Sequence, residues 1–156
     1  MGLLRVFALI ALIAAPAFAQ SPGRYEDAQS GYSIALPEGF VAQENSSHGQ
    51  SFYRARGAQA VTVWGGDVVA GFEATVADAM DQASVTNGWN ISDQAVTPRW
   101  AEFRAVKGSR MLFQRMVLLC DGARYAAFRA EYSAADVTEM DGVVDRLVQS
   151  LRGNGC

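Results

Sequence analysis

The sequence has very little of the residue types on which several common chemistries depend. Among 156 residues there is one histidine, His48, and there are two cysteines, Cys120 and Cys156. A catalytic triad would have to use His48, which lies in a polar stretch without a nucleophile-elbow motif. A zinc site needs three or four ligands, which one histidine and two distant cysteines do not supply. We therefore expect no catalytic residues, no metal and no cofactor.

Concentrated positive charge is also missing. Thirteen basic residues stand against sixteen acidic ones, the formal net charge is −3, and Lys107 is the only lysine. Because the arginines are scattered singly, the sequence offers no basic patch for a nucleic acid or an anionic membrane surface. We therefore expect no nucleic acid partner.

The apolar run at the start of the sequence is too short to span a bilayer, which takes about 20 residues. This run, residues 6–15, follows a short segment with one positive charge and precedes Ala17-Phe18-Ala19. These features are typical of a secretory signal peptide cleaved after Ala19. An uncleaved membrane anchor is the alternative. We predict a periplasmic or secreted protein without a stable membrane anchor, organised as a signal peptide (1–19), a flexible lead-in (20–30), one domain (31–152) and a tail (153–156).

The spacing of apolar residues predicts groups of strands separated by helices. Residues 73–85 and 134–151 have apolar side chains at helical intervals, whereas the other apolar runs are extended. Gly65-Gly66-Asp67 is interpreted as a turn that ends a strand, with a cation or ligand site as the alternative. Because there is no regular βα alternation, we predict an α+β fold. The expected architecture is a single α/β/α sandwich, with a central antiparallel sheet and helices packed on its faces.

The clearest element is a hairpin within residues 110–132. Its two apolar strands flank Asp121-Gly122, a preferred pair for a tight turn. This turn places Arg115 opposite Phe128, so that Arg115 points to one face of the hairpin and Arg129 to the other. Such arginines either pack their stems on the sheet with exposed heads or contact a ligand in a cleft. Since both faces are largely apolar, the hairpin is expected in the middle of the sheet.

The two cysteines can meet if the last helix packs antiparallel on the second hairpin strand. Cys120 lies at the hairpin turn, and such a helix would return the chain end, with Cys156, to that turn. An even number of cysteines in an exported chain favours a disulfide. We predict a structural Cys120–Cys156 bond, with two independent thiols as the alternative.

Other polar and aromatic residues have a structural interpretation beside a functional one. Trp64, Trp89 and Trp100 are either core residues or, where exposed together, a binding surface. Asp78 and Asp81 share the outer face of the first helix and are interpreted as solvated surface. Together with Arg115 and Arg129, the three tryptophans are the candidate contacts for a ligand or partner.

The first and last parts of the predicted domain resemble a known superfamily. The segment "GYSIALPEGF" (residues 31–40) resembles the first hairpin of the PsbP-like superfamily, which includes the photosystem II extrinsic protein PsbP, Mog-type Ran-binding proteins and bacterial envelope proteins. The ending "RYAAFRAEYSAADVTEMDGVVDRLVQSLR" is similar to the strand and helix that close this fold. The resemblance implies an α/β/α sandwich and a docking, assembly or binding role, and it brings no catalytic motif.

These observations lead to one main functional hypothesis and two alternatives. The main hypothesis is a non-catalytic exported binding or assembly protein of the cell envelope that contacts a protein partner. The first alternative is a periplasmic protein that binds a small ligand or cation near Arg115 and Arg129 or at Gly65-Gly66-Asp67. The second alternative is a hydrolase with an unrecognised site. A flat patch with exposed tryptophans would favour the partner, and a concave pocket with an arginine would favour the ligand.

Overall fold

The computed structural model describes residues 23–43, 49–54 and 58–155. The predicted signal peptide, His48 and Cys156 lie outside these ranges. The strands are β1 (Arg24–Asp27), β2 (Tyr32–Ala35), β3 (Phe40–Ala42), β4 (Gln50–Arg54), β5 (Gln59–Asp67), β6 (Asn90–Val96), β7 (Trp100–Lys107), β8 (Arg110–Leu118), β9 (Arg124–Ser133) and β10 (Arg152–Gly153). The helices are α1 (Phe72–Asp81), which continues as a π-helical turn (Gln82–Thr86), and α2 (Val137–Ser150), which follows a 3₁₀ turn (Ala134–Asp136).

A seven-stranded antiparallel sheet forms the middle of the domain. Its strand order is β3-β4-β5-β9-β8-β7-β6, so the hairpin of β8 and β9 lies inside the sheet as predicted. The predicted register of this hairpin is also confirmed, since Arg115 pairs with Phe128 and Phe113 pairs with Ala130. The Asp-Gly turn sets this register, because the number of residues in the turn fixes which residues face each other.

One face of the large sheet is closed by α2. The helix buries Met140, Val143, Val144 and Leu147 against this face. Phe113 and Phe128 stack beneath it with ring centroids 5.8 Å apart. Because the apolar residues of α2 recur every three or four positions, they form one stripe that faces the sheet. This face carries the largest apolar core of the described residues.

The opposite face is covered by α1, but only over part of its width. Phe72 and Val76 of α1 pack with Met116 of β8 and Ala101 of β7. The π-helical turn adds Ala83, which packs beside Trp89 and neighbouring residues of β7 and β8. With α2 on one side and α1 on the other, the chain forms the predicted α/β/α sandwich.

A second, three-stranded sheet was not predicted. Its order is β1-β2-β10, and all its pairs are antiparallel. Residues 24–27, predicted as part of a flexible lead-in, therefore form a strand. The segment is polar because only alternate residues turn inward: Tyr25 packs on Phe52, with centroids 5.6 Å apart, while Arg24 and Glu26 pair outside at 2.9 Å.

The opening segment is also not a hairpin of its own. After β2, the turn at Pro37 carries the chain into the large sheet, where β3 pairs with β4. The strand before Pro37 pairs instead with β1 and β10. The segment thus connects the two sheets.

The predicted turn at Gly65-Gly66-Asp67 is wrong, because all three residues continue β5 and pair with β9. Glycine is required here by close packing. A Cβ atom on Gly65 would lie 2.6 Å from Ser30 Cβ, and one on Gly66 would lie 2.8 Å from Tyr125 Cε1. The two glycines let side chains cross the strand on both faces, so they provide no turn for a cation.

The end of α2 returns toward the β8–β9 turn, as the predicted disulfide requires. The Arg124 side chain binds Asp121 in that turn at 2.6 Å and also donates to the Gln29 carbonyl at 3.2 Å. The Asn154 N–H donates to the neighbouring Gly31 carbonyl at 2.8 Å. The Cys120–Cys156 bond stays a prediction, because Cys156 lies outside the described residues.

Candidate functional site

A cleft of about 880 Å³ lies where α1 stops short of the edge of the sheet. One wall is the side of α1 and the π-helical turn, including Ala79, Gln82 and Val85. The floor is formed by β5, β8 and β9, from which Trp64, Met116 and Tyr125 reach into the cleft. A smaller adjoining hollow extends the floor to Thr62 and shares Trp64, Tyr125 and Arg129. The result is a trough with one helical wall and an open side over β5.

Arg129 and Gln114 lie at the foot of this cleft. They are direct partners across β8 and β9. Arg129 donates from Nε and Nη2 to Gln114 Oε1, at 2.9 and 2.8 Å. Gln114 is fully buried, and its Nε2 has no hydrogen-bond partner among the described residues. Since an unpaired buried donor costs free energy, its presence in a cleft marks a place where a ligand or water can bind.

The Arg129 guanidinium is also held by the ring of Trp64. Its central carbon lies 5.9 Å from the ring centroid, which is within the range of a cation–π contact. Burial lowers the pKa of Arg129, and the neighbouring Glu131 opposes this effect. Because an arginine starts from a very high pKa, Arg129 remains a cation at neutral pH. The cleft therefore has a fixed positive charge at its foot.

The rim of the cleft combines acidic and apolar residues. Asp67, Asp78 and Asp81 line it, and Glu131 lies in the adjoining hollow. Val69 is 92% exposed and Val85 is 82% exposed. Large apolar side chains that are this exposed stabilise the fold little, so they are available for contact with another molecule.

Arg115 is not part of this cleft. It lies on the face of the sheet that α2 packs on, and it pairs with Glu102 at 2.7 Å. Its guanidinium carbon lies 4.8 Å from the centroid of the Trp100 ring. The structure thus separates Arg115 and Trp100 from Arg129 and Trp64, as the predicted hairpin register implies. The Nε atom of Arg115 is buried without a hydrogen-bond partner in the described part of the chain.

The three tryptophans do not form one exposed patch. Trp89 is buried in the core under the π-helical turn, and Trp64 and Trp100 are half-buried on opposite faces of the sheet. Trp89 therefore has a packing role. Asp78 and Asp81 are exposed, as predicted, but they also line the cleft. The described residues contain no group of three or more acidic, histidine or cysteine side chains placed to hold a metal ion.

Sequence reasoning missed the central role of Gln114 and the position of the cleft. A glutamine in the middle of the apolar strand β8 was the available signal, because its register partner is Arg129. The rim residues Val69 and Val85 gave no local signal. Their position depends on where α1 rests on the sheet.

Comparison with known proteins identifies the fold. No family model matches the chain, and neither does any curated protein. Among solved structures, cyanobacterial PsbP (CyanoP) from Synechocystis sp. PCC 6803 matches with a TM-score of 0.62 and 12% identity, over 90% of this chain and 98% of that one. The Ran-binding protein Mog1p of Saccharomyces cerevisiae matches with a TM-score of 0.62 and 8% identity, over 82% of this chain and 93% of that one.

The chain has the PsbP-like fold. A third structure with a similar fold is LpqN of Mycobacterium tuberculosis, a protein involved in cell envelope biogenesis. It matches with a TM-score of 0.53 and 11% identity, over 78% of this chain and 82% of that one. At these identities the comparisons establish the PsbP-like fold, and the function has to be argued from the cleft.

Proposed function

We propose that the chain is a non-catalytic exported binding or assembly protein of the cell envelope, and that it contacts a protein partner through the cleft beside α1. Two solved structures with the PsbP-like fold support a binding role by analogy. One is named a Ran-binding protein, and the other is involved in cell envelope biogenesis. The analogy is one of fold, so the proposal depends on the cleft itself.

One observation carries the proposal. The half-buried Arg129 and the fully buried Gln114 form a polar pair at the foot of an open trough, and Gln114 Nε2 has no acceptor among the described residues. Because an unpaired buried donor costs free energy, an acceptor bound in the trough would add a hydrogen bond that this pair lacks. The exposed Val69 and Val85 at the rim add the apolar contact that a partner would cover.

The export part of the proposal comes from the N-terminal sequence. The run at residues 6–15 and the small residues before position 20 are typical of a cleavable signal peptide. No helix among the described residues is long and apolar enough to cross a bilayer. In an oxidising compartment, a Cys120–Cys156 disulfide would attach the end of α2 to the sheet, which fits an exported protein.

A small ligand is the second candidate, because the cleft is concave and has convergent polar groups. Its volume of about 880 Å³ is in the range of ligand pockets. The same arginine and glutamine would then orient the ligand. A cation at Gly65-Gly66-Asp67 has no such support, because these residues belong to β5.

Site-specific photo-crosslinking in the native host tests the proposal. A photoreactive residue is placed at Val85 on the rim, and at Gln149 on the exposed side of α2 as the matched control. We expect Val85 to trap one envelope protein recurrently, and Arg129→Met to abolish the product. Equal trapping from Gln149, or no protein product from Val85, would contradict a protein partner in the cleft.

A further inference from the structure

The Arg129 side chain lines the cleft and has hydrogen-bond donors without an acceptor among the described residues. Its Nε and one donor of Nη2 are taken by Gln114 Oε1. Its Nη1 forms a long ion pair with Glu131 Oε1, at 3.9 Å, which is too long for a hydrogen bond. The Nη1 and Nη2 edge of the guanidinium can therefore donate to two oxygen atoms side by side, in competition with the long ion pair to Glu131. A carboxylate matches this geometry.

Gln114 adds an independent reason to expect an oxygen ligand. Its side chain lines the cleft and is fully buried, and its Nε2 has no acceptor in the described ranges. Gln114 Oε1 already accepts two charge-assisted hydrogen bonds from Arg129, and both would be lost if the amide flipped by 180° to exchange Oε1 and Nε2. An acceptor oxygen at the foot of the cleft would pair this donor.

The charge around the cleft limits the kind of acid it can take. Arg129 is the only cation among the described residues that line the cleft and its adjoining hollow. The cleft and the hollow are also lined by four acidic side chains: Asp67, Asp78, Asp81 and Glu131. A polyanion would be repelled by this rim. In a ligand with a single carboxylate and basic groups beside it, the carboxylate would face Arg129 and the basic groups would face the acidic rim.

The shape of the cleft favours a peptide over a small molecule. The trough has a helical wall on one side, while the floor continues toward β4 through the half-buried Thr62 and Ser51. Small-ligand sites enclose most of the ligand surface, whereas an open trough can hold a segment of chain. Val69, Val85 and Trp64 offer apolar contacts along it.

We propose that the cleft captures one carboxylate of a partner peptide segment at Arg129 and Gln114, and that basic and apolar residues flank this carboxylate. The proposal rests on the proposed function and names the chemistry of the partner. The carboxylate is either the C-terminus of the partner or an aspartate or glutamate side chain within it.

Peptide titrations followed by NMR test this proposal on the full mature chain. The first probe is N-acetyl-Lys-Lys-Leu with a free carboxylate, and its C-terminal amide is the matched control. A second probe, N-acetyl-Lys-Glu-Leu amide, carries only a side-chain carboxylate. The resonances followed are the Arg129 Nε and Gln114 Nε2 groups. N-acetyl-Glu-Glu-Leu tests whether the basic residues beside the carboxylate contribute to binding. Acetate tests whether the carboxylate needs the rest of the peptide.

We expect at least one carboxylate peptide to bind at millimolar concentration or tighter, and about tenfold more tightly than the Lys-Lys-Leu amide. Preference for the free acid identifies a C-terminus, and preference for the internal glutamate identifies a side chain. Arg129→Met should weaken binding about tenfold or more. Arg146→Met, which removes an exposed arginine of α2, should leave binding unchanged.

Four results would overturn the inference: neither carboxylate peptide binding more tightly than the Lys-Lys-Leu amide, no effect of Arg129→Met, acetate binding as tightly as the peptides, or no binding by any probe. A preference for the Glu-Glu peptide over the Lys-Lys peptide would contradict the claim that basic residues flank the carboxylate. Because trapping from Val85 in cells is measured separately, a protein partner can be confirmed there even if the peptides fail. The two proposals can thus fail independently.

Discussion

The two faces of the large sheet solve the same packing problem in different ways. On the α2 side, stacked aromatic rings and a continuous stripe of helical side chains form an apolar core. On the α1 side, the helix covers only part of the face and leaves a cleft floored by Arg129, Gln114 and Trp64. A sheet covered completely on both faces would be expected to exclude such a polar pair. The difference places the largest apolar core on the α2 side and leaves the α1 side open for the proposed binding.

The largest effect is expected from removing packing on the α2 side. Phe128 is fully buried and stacks on Phe113. Phe128→Ala should lower the free energy of unfolding by about 3–5 kcal/mol, because it removes apolar contact and leaves a cavity. Urea denaturation measures the loss. Val85→Ala at the rim is the control and should change stability by less than about 0.5 kcal/mol. Equal losses of stability in Phe128→Ala and Val85→Ala would contradict the proposed difference between the α2 side and the rim of the cleft.

The predicted disulfide should also act on the α2 side. In the chain-entropy model, closing the loop of about 36 residues between Cys120 and Cys156 contributes about 4 kcal/mol. Cys156→Ser, Cys120→Ser and the double variant should therefore all lose the same stability in thermal unfolding. Losses that add in the double variant would show independent thiols. Alkylation under denaturing, non-reducing conditions provides a direct check, because bonded cysteines stay unlabelled.

Removing one member of the polar pair on the α1 side should lower the stability more than removing both. Gln114→Leu removes the acceptor of Arg129 Nε and Nη2, so we expect a loss of about 1–3 kcal/mol. Adding Arg129→Met should restore part of this loss, because the half-buried guanidinium that has lost its acceptor disappears as well. The double variant should fold and should not form the crosslinked product expected from Val85. A chemical-denaturation cycle measures the coupling, and additive losses would contradict it.

The smallest effect is expected at the turn that joins the two central strands. The hydrogen bond from the Arg124 side chain, together with the Ala123 N–H, lowers the pKa of Asp121. A carboxyl with a lowered folded-state pKa stabilises the fold above its unfolded pKa, and this contribution is lost as the pH falls through the folded value. Asp121→Asn should therefore weaken the fold slightly at pH 7 and match the wild type in acid. Thermal unfolding across this pH range measures the difference. A constant gap would show that the charge is irrelevant.

The sequence was informative where local chemistry sets the structure. The Asp121-Gly122 turn fixed the register of β8 and β9, and that register places Gln114 opposite Arg129. The sequence was uninformative where distant residues decide. Gly65 and Gly66 have the local signal of a turn, yet Ser30 and Tyr125 pack over them and keep them in β5. The cleft likewise depends on where α1 rests, which no local pattern of α1 encodes.

Hydrogen–deuterium exchange, measured by mass spectrometry, tests most directly whether binding occurs on the α1 side. The tagged chain is compared as a purified protein and in detergent-free envelope extract of its host. We expect slower exchange in the extract at residues 64–86 and 125–131, which border the cleft, with no change in α2. Protection confined to α2 and the small sheet would contradict the assignment of binding to the cleft.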